Sequence, residues 1–539
     1  MARSSAPAVH AAAPETVDLG LMVASPTGSA PWLASRTMEM PLTPLDFLSR
    51  ARRLFPERVG VIDGDQRFTY AAYAERCDRL AATLVGDFAV RAGDRVAWLG
   101  GNTHELLEAY YGVLLAGAIL TPLNIRLSPV ELRSILDDCR PAVLVRHPHQ
   151  PDPGHSTPQV ILGADYEARL SAQTSLPWPT PEVDERSVAE IFYTSGSTGT
   201  PKGAMLTHRA LYLHAVHSAL TGGLSGSDVI LHTIPLFHVN GWGTPHYVTG
   251  LGGVHVMLSR FDPAEVLRLI AAEGVTRLFL VPAMAAELLR SPELDGLDLS
   301  SVVQISVGGA PTPAPMLAEL EARFGCTVIC GYGMTETSPT LTRSLDKPGE
   351  VPSAARRATT GLPILGADAR VLDGEDHEVP WDGVSAGEVC VRSNHVMAGY
   401  WNAPEATAEV IREGWLRTGD IATVDRDGYL TLVDRSKDLI ISGGENVASV
   451  EVERALAEHP AVLEAAVIGR PDERWGEVPH GFVTLRPTHE ATPDELVAFV
   501  RQRLAHFKAP RRVEILDELP KGGTGKVQKQ ILRDLATDA

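Results

Sequence analysis

Lysine is scarce in this chain of 539 residues. Of its 48 basic residues only seven are lysine: Lys202, Lys347, Lys437, Lys508, Lys521, Lys526 and Lys529. Lysine offers a compact, mobile point charge that a planar guanidinium does not replace, so its few positions single themselves out. Positive charge is short as a whole. Against 67 acidic residues the net charge is −19, which argues against a nucleic-acid partner. No apolar run approaches the about 20 residues that a membrane-spanning helix needs. The five cysteines (Cys77, Cys139, Cys326, Cys330, Cys390) are scattered and odd in number, and the Cys326/Cys330 pair has no second pair at zinc spacing. They read as reduced and structural, in a cytoplasmic protein. No internal repeat is present. Residues 1–37 are rich in Ala, Ser and Pro, with Val17–Ala24 as the one apolar run. That is too short for a signal peptide, and the segment is expected to be a disordered or loosely docked extension.

What remains suits a globular enzyme: 44% apolar residues and a length sufficient for a large domain plus a smaller one. Arg95–Leu99 reads as a strand, Glu105–Leu115 as a helix and Ile119-Leu120 as a second strand. Similar units recur at Ala142–Val145, at Arg277–Val281 with a helix to Arg290, and at Val302–Val307 with a helix to Phe324. Such alternation predicts largely parallel sheets covered by helices, with sites at the carboxyl ends of strands. Trp381–Val391 and Ile421–Val433, broken by Asp-Gly, read as antiparallel hairpins. After Arg435 come a helix near Val450–Glu458, strands near Ala465–Ile468 and Gly481–Leu485, and a helix near Glu495–Leu504, enough for a small domain.

The densest chemical signal is Tyr193-Thr194-Ser195-Gly196-Ser197-Thr198-Gly199-Thr200-Pro201-Lys202-Gly203. Glycines let backbone N–H groups approach an anion, and hydroxyls and an ammonium add donors, so the loop suits a polyphosphate. It is not a Walker A loop, since Gly203 follows Lys202 and the glycine spacing differs. Gly525-Lys526 is followed by Val527, with Pro520 where a first glycine would stand.

From Tyr193 to Arg209 this stretch resembles the phosphate-loop signature of the adenylate-forming superfamily: acyl-CoA synthetases, peptide-synthetase adenylation domains and luciferases. The resemblance extends from about Leu42 to Leu535 through several motifs in order. It implies an α/β fold: a large N-terminal domain (38–434) of mixed sheets flanked by helices with a β-barrel-like subdomain, and a small mobile α+β C-terminal lid (435–539). It implies ATP, Mg²⁺ and CoA as cofactors. In Gly331-Tyr332-Gly333-Met334-Thr335-Glu336-Thr337 it places Tyr332 against adenine, Thr335 on a phosphate and Glu336 on magnesium, a hard ligand for a hard ion. Gly308-Gly309-Ala310-Pro311 resembles the adenine turn. Asp420, in Thr418-Gly419-Asp420, and Arg435 match the ribose contacts, and Lys437 the hinge. Ser442-Gly443-Gly444 resembles the lining of the CoA tunnel. Lys526, in a glycine loop, matches the catalytic lysine that bridges carboxylate and α-phosphate. Six of the seven lysines fall in or beside these motifs.

The acid pocket is expected at Pro235-Leu236-Phe237-His238-Val239-Asn240-Gly241-Trp242-Gly243. Amino-acid-activating relatives place an Asp there to pair with the substrate ammonium, and this stretch has none. A buried ammonium without a partner is costly, so the pocket is expected to take an apolar acyl or aryl group against Phe237, Val239 and Trp242. His238 reads equally as a core histidine or as a substrate contact. Gly241 and Gly243 are expected to leave side-chain space. The chain thus reads as an acid–CoA ligase for a medium- or long-chain fatty or aromatic acid. The alternative is a stand-alone adenylating enzyme that hands an activated acid, or another small oxyanion such as nitrite, to an amine or carrier protein. Oligomeric state is left open.

Overall fold

The computed structural model describes residues 39–174, 181–194, 201–310, 312–435, 438, 440–442, 445–472, 475–487, 489–506, 508–521 and 527–537. Residues 42–539 form one compact unit, and residues 1–41 a separate one. Among the described residues there are four β-sheets, of nine, seven, five and five strands.

In the nine-stranded sheet, strands Val59–Asp63, Val254–Val256, Val229–Leu231, Arg277–Leu280, Gln304–Gly308 and Thr327–Gly333 lie side by side and parallel. Thr340–Arg343 and Gln66–Thr69 join it antiparallel. The seven-stranded sheet has a parallel core of Val188–Thr194, Ile119–Pro122, Arg95–Leu99, Val143–Arg146 and Gln159–Ile161. Both are the parallel sheets expected from strand–helix alternation, and the Arg95–Leu99 strand has the expected bounds. Helices Tyr70–Phe88 and His104–Leu115 pack on each other, the first against strands Val59–Asp63 and Gln66–Thr69 and the second against Ile119–Pro122, and bury Tyr73, Leu80, Tyr110 and Tyr111 in one continuous core. Gly112 permits their close approach, because a Cβ there would lie 2.7 Å from Leu80.

A five-stranded antiparallel sheet, built on Ala367–Leu372, Ala386–Ser393, Trp415–Val424 and Leu430–Arg435, stands where a barrel-like subdomain is expected. The hairpin expected from Trp381 begins only at Ala386. Asp382 Oδ1 accepts the N–H groups of Val384 and Ser385, which keeps that segment in a turn and leaves Trp381 half exposed.

The last sheet is formed wholly by residues after Arg435: Ile440–Ser442, Glu445–Val447, Val462–Asp472, Gly476–Leu485 and Arg512–Ile515. With helices Ser449–Ala457 and Pro493–Arg501 it encloses its own core of Ile440, Val452, Leu456, Val467, Val483, Leu496 and Val500. The second helix stops at Arg501, short of the expected Leu504.

Candidate functional site

The strands on either side of the phosphate-loop motif pair antiparallel. Strand Val188–Thr194 returns as Lys202–Thr207, with Tyr193 opposite Gly203 and Thr194 opposite Lys202. Gly203 is required for this approach, since a Cβ would stand 2.8 Å from Ile191. Ser195, Gly196, Ser197, Thr198 and Gly199 lie outside the described residues. The Lys202 ammonium sits 5.5 Å from the centre of the Tyr400 ring. Tyr400 in turn donates a 2.8 Å hydrogen bond to Oε1 of Glu336. Tyr400 is brought there by its short strand, which pairs with Ala204 and Met205, and by the Trp401 N–H donating to the Gly203 carbonyl at 2.7 Å. Sequence reasoning missed Tyr400, whose only local signal is an aromatic pair behind a glycine.

Thr335 and Glu336 are buried in a single turn that follows strand Thr327–Gly333. Gly333 makes that turn possible: a Cβ would fall 1.9 Å from the Pro339 carbonyl. Next to it, Gly308 and Gly331 stand opposite each other at the ends of their parallel strands, with Gly309 at φ +82° and Ala310 exposed beyond. The Tyr332 hydroxyl donates to Oδ2 of Asp420 at 2.7 Å, so two residues expected at adenine and ribose meet across 88 positions of sequence. Asp420 itself lies opposite Arg435 in the Trp415–Val424/Leu430–Arg435 hairpin. Pro311, Lys437, Gly443, Gly444 and Lys526 lie outside the described residues, and Ser442 is buried at the end of its strand.

On the acid side, His238 precedes helix Val239–Leu251, whose first turn is left-handed: φ is +37° at Val239, +43° at Asn240, +51° at Gly241, +65° at Trp242 and +85° at Gly243. The expectation of side-chain space at the glycines is corrected here. A Cβ at Gly241 would lie 2.8 Å from Leu236 and one at Gly243 2.7 Å from His214, so both are glycine because of the turn and its packing. Phe237 and Val239 are buried, and His238 and Trp242 are half-buried. The Trp242 ring crosses Phe279 edge-on at 6.0 Å, and its Cη2 would be 3.0 Å from a Cβ on Gly308. The aromatic expected in the acid pocket therefore packs against the turn expected at adenine.

A further carboxylate, missed in sequence, anchors the left-handed turn. Glu190 is fully buried on the phosphate-loop strand; its Oε2 accepts from Asn240 Nδ2 at 3.1 Å, and its Oε1 lies 2.9 Å from His246 Nε2. With both oxygens engaged, it is not placed as a partner for a substrate ammonium. Its signal is one acid inside the apolar run Ala189-Glu190-Ile191-Phe192.

The AMP-binding enzyme family matches residues 48–401, and the AMP-binding enzyme C-terminal domain matches residues 451–526. The chain belongs to the AMP-binding enzyme family. This AMP-binding enzyme is 40% identical to a feruloyl-CoA synthase of Amycolatopsis sp, over 90% of this chain and 97% of that one. It is 34% identical to the peroxisomal benzoate–CoA ligase of Arabidopsis thaliana, over 92% and 94%. Among solved structures it is similar to ATP-bound MatB from Rhodopseudomonas palustris, with a TM-score of 0.84 and 29% identity over 93% and 99% of the two chains. It is likewise similar to the amide bond synthetase McbA from Marinactinospora thermotolerans, with a TM-score of 0.82 and 29% identity over 92% and 99%.

The residues of this AMP-binding enzyme fit a hard dication at Glu336. Its carboxylate is buried and braced by a neutral phenol, and the Tyr400 pKa is raised by burial and then by the Glu336 charge. Other lysines have structural partners: Lys521 pairs with Glu464 at 2.7 Å, Lys508 with Glu451 at 2.8 Å and Lys529 with Glu453 at 2.8 Å. All five cysteines are unpaired, and all but Cys326 are buried. Among the described residues no helix is long and apolar enough to cross a membrane.

Proposed function

We propose that this protein is an AMP-forming acid–CoA ligase for an acid with an apolar or aromatic body. A carboxylate oxygen attacks the α-phosphorus of ATP and pyrophosphate leaves; the CoA thiol then attacks the acyl carbon, and AMP leaves. The observation that carries this reading is the convergence of Lys202, Tyr400 and Glu336 on the motif whose Tyr332 bonds Asp420. Thr194, the loop hydroxyls and Lys202 hold phosphate oxygens, as does Thr335. Mg²⁺, when bound, neutralises charge on the phosphates, and Glu336 is its ligand. Tyr332 lies on the base and Asp420 with Arg435 on the ribose. Lys526 holds the attacking carboxylate against the α-phosphate, and Ser442, Gly443 and Gly444 line the way for CoA.

The acid lies between Phe237, Val239 and Trp242, and the relatives that act on benzoate and on a feruloyl group support an aromatic body. Residues 38–434 form the large domain and 435–539 the lid, turning about Lys437, with 1–37 an extension. The five unpaired cysteines support a cytoplasmic location. The similarity to an amide bond synthetase favours a second reading, transfer to an amine. Release of AMP and formation of thioester, measured with octanoate, benzoate, a cinnamate and phenylalanine, with and without CoA and with an amine in its place, separates the two. Adenylation without any thioester sinks the CoA reading, and preference for phenylalanine sinks the pocket assignment.

A further inference from the structure

On the strand that follows the Glu336 turn, Arg343 is buried with no carboxylate among the described residues to balance its charge. It lies opposite Gly331 and is only 5% exposed. Its Nη1 is buried without a hydrogen-bond partner, and among the described residues no carboxylate pairs with it. Nη1 packs on Gly222, at the end of helix His208–Thr221, where a Cβ would lie 2.3 Å away. The nearest influences on its charge are burial, the Tyr247 phenol and a second cation, Arg277, which is already paired with Asp228 at 2.8 Å. An unpaired guanidinium in a core is costly and is not retained by packing alone.

Two neighbouring groups carry further buried polar atoms without partners: the Tyr247 hydroxyl, which acts on the Arg343 charge, and both ring nitrogens of His395. They are joined through His214, which accepts the Thr340 N–H at 3.1 Å and lies 5.6 Å from His395, centre to centre. His214 and Tyr247 both close on Gly243, at 2.7 Å and 3.5 Å from a Cβ placed there. The cluster thus stands behind the residue after Trp242.

We propose that the acid pocket ends in an anion site, with Arg343 as its charge and Tyr247 as a hydrogen-bond donor. The acid activated then carries a second carboxylate, remote from the one that is adenylated. One planar guanidinium and one hydroxyl match a single negative charge with two oxygens, which favours a carboxylate over a phosphate dianion. The inference rests on the placement of the acid pocket at Phe237–Gly243.

The test compares wild type with Arg343→Met in acid-dependent ATP–pyrophosphate exchange, using octanedioate against octanoate and benzene-1,4-dicarboxylate against 4-methylbenzoate. Wild type is expected to favour the dicarboxylates by about 100-fold or more in kcat/KM, because the methyl acids leave buried polar groups unpaired. Arg343→Met is expected to reverse the order. Melting curves give a second readout: without ligand Arg343→Met melts above wild type, and dicarboxylate raises the melting temperature of wild type alone. A preference for methyl acids in wild type, a dicarboxylate preference that survives the substitution, or a variant that melts lower each overturns the anion site. Methyl acids turned into thioesters equally by both proteins overturn it while leaving the ligase reading intact. Exchange with no acid at all overturns both.

Discussion

Replacing Glu190 by alanine tests whether the acid pocket is held by a buried carboxylate far from it in sequence. The left-handed turn it anchors places Val239, Asn240 and Trp242 in a conformation that costs roughly 1–2 kcal/mol per non-glycine residue. Glu190 offsets that cost by binding Asn240 and His246. Alanine leaves Asn240 Nδ2 and His246 Nε2 buried without acceptors, where Asn240 Oδ1 and His246 Nδ1 already lack partners. At about 1–3 kcal/mol for each orphaned group, the loss is about 2–6 kcal/mol. Melting entropy near 2.1 cal/mol/K per residue makes 1 kcal/mol worth about 1 °C in a chain of roughly 500 residues. The melting temperature of Glu190→Ala should therefore fall by about 2–6 °C. Glu190→Gln keeps one acceptor, and the imidazole can change tautomer to meet the new amide, so its fall should stay below about 2 °C. In steady-state assays the acid KM of Glu190→Ala should rise while the ATP KM moves little, because the turn forms a wall of the proposed acid pocket. A variant that melts with wild type and keeps its acid KM would falsify the assignment of Glu190 as the anchor.

Three further outcomes are expected. Glu336→Gln should shift the magnesium dependence of adenylation to higher concentration, since a neutral amide is a poor ligand for a hard dication; an unchanged Mg²⁺ titration removes Glu336 from the metal. Lys526→Ala should abolish most acyl-adenylate formation and spare the reaction of supplied acyl-AMP with CoA, whereas equal loss in both half-reactions contradicts a role confined to adenylation. Burial lowers the pKa of His208 to about 4 and of His232 and His395 to about 3. These residues are neutral in the fold and bind protons on unfolding, so stability is present above pH about 6.5 and is lost as pH falls from there towards the folded values. Each contributes a slope of up to about 1.4 kcal/mol per pH unit, and a melting temperature flat between pH 7 and pH 5 contradicts their neutral burial.

Local periodicity carried the parallel strands because each is an apolar run bounded by turn residues, as at Arg95–Leu99. It failed at Trp381, where the side chain of Asp382 competes with strand pairing for the backbone N–H groups. The glycines at 241 and 243 looked like open space, since a missing side chain reads the same whether a ligand or a neighbouring side chain takes its place. Contacts made across the chain left almost no trace in sequence. Tyr400 meets Glu336 only because a strand of the seven-stranded sheet lies beside the turn that ends a strand of the nine-stranded one, and Glu190 meets His246 only because a helix lies against its strand. A lone acid in an apolar strand was the one hint, and it names no partner. The Tyr332–Asp420 contact came closest to being legible, because both residues stand in motifs assigned to one nucleotide.

With Trp242 and Gly308 in the roles proposed above, their packing ties the choice of acid to the handling of ATP. On the proposed assignment the acid and the nucleotide lie to either side of one indole, and neither side can be retuned in isolation. Enlarging the room for the acid by trimming Trp242 withdraws the backing of the adenine turn, so a broader acid range should come with a weaker grip on the nucleotide. Variation that alters acid choice while sparing ATP has to fall on the other walls of the pocket, and a family diversifying its acids on this scaffold would change Phe237 and Val239 before Trp242.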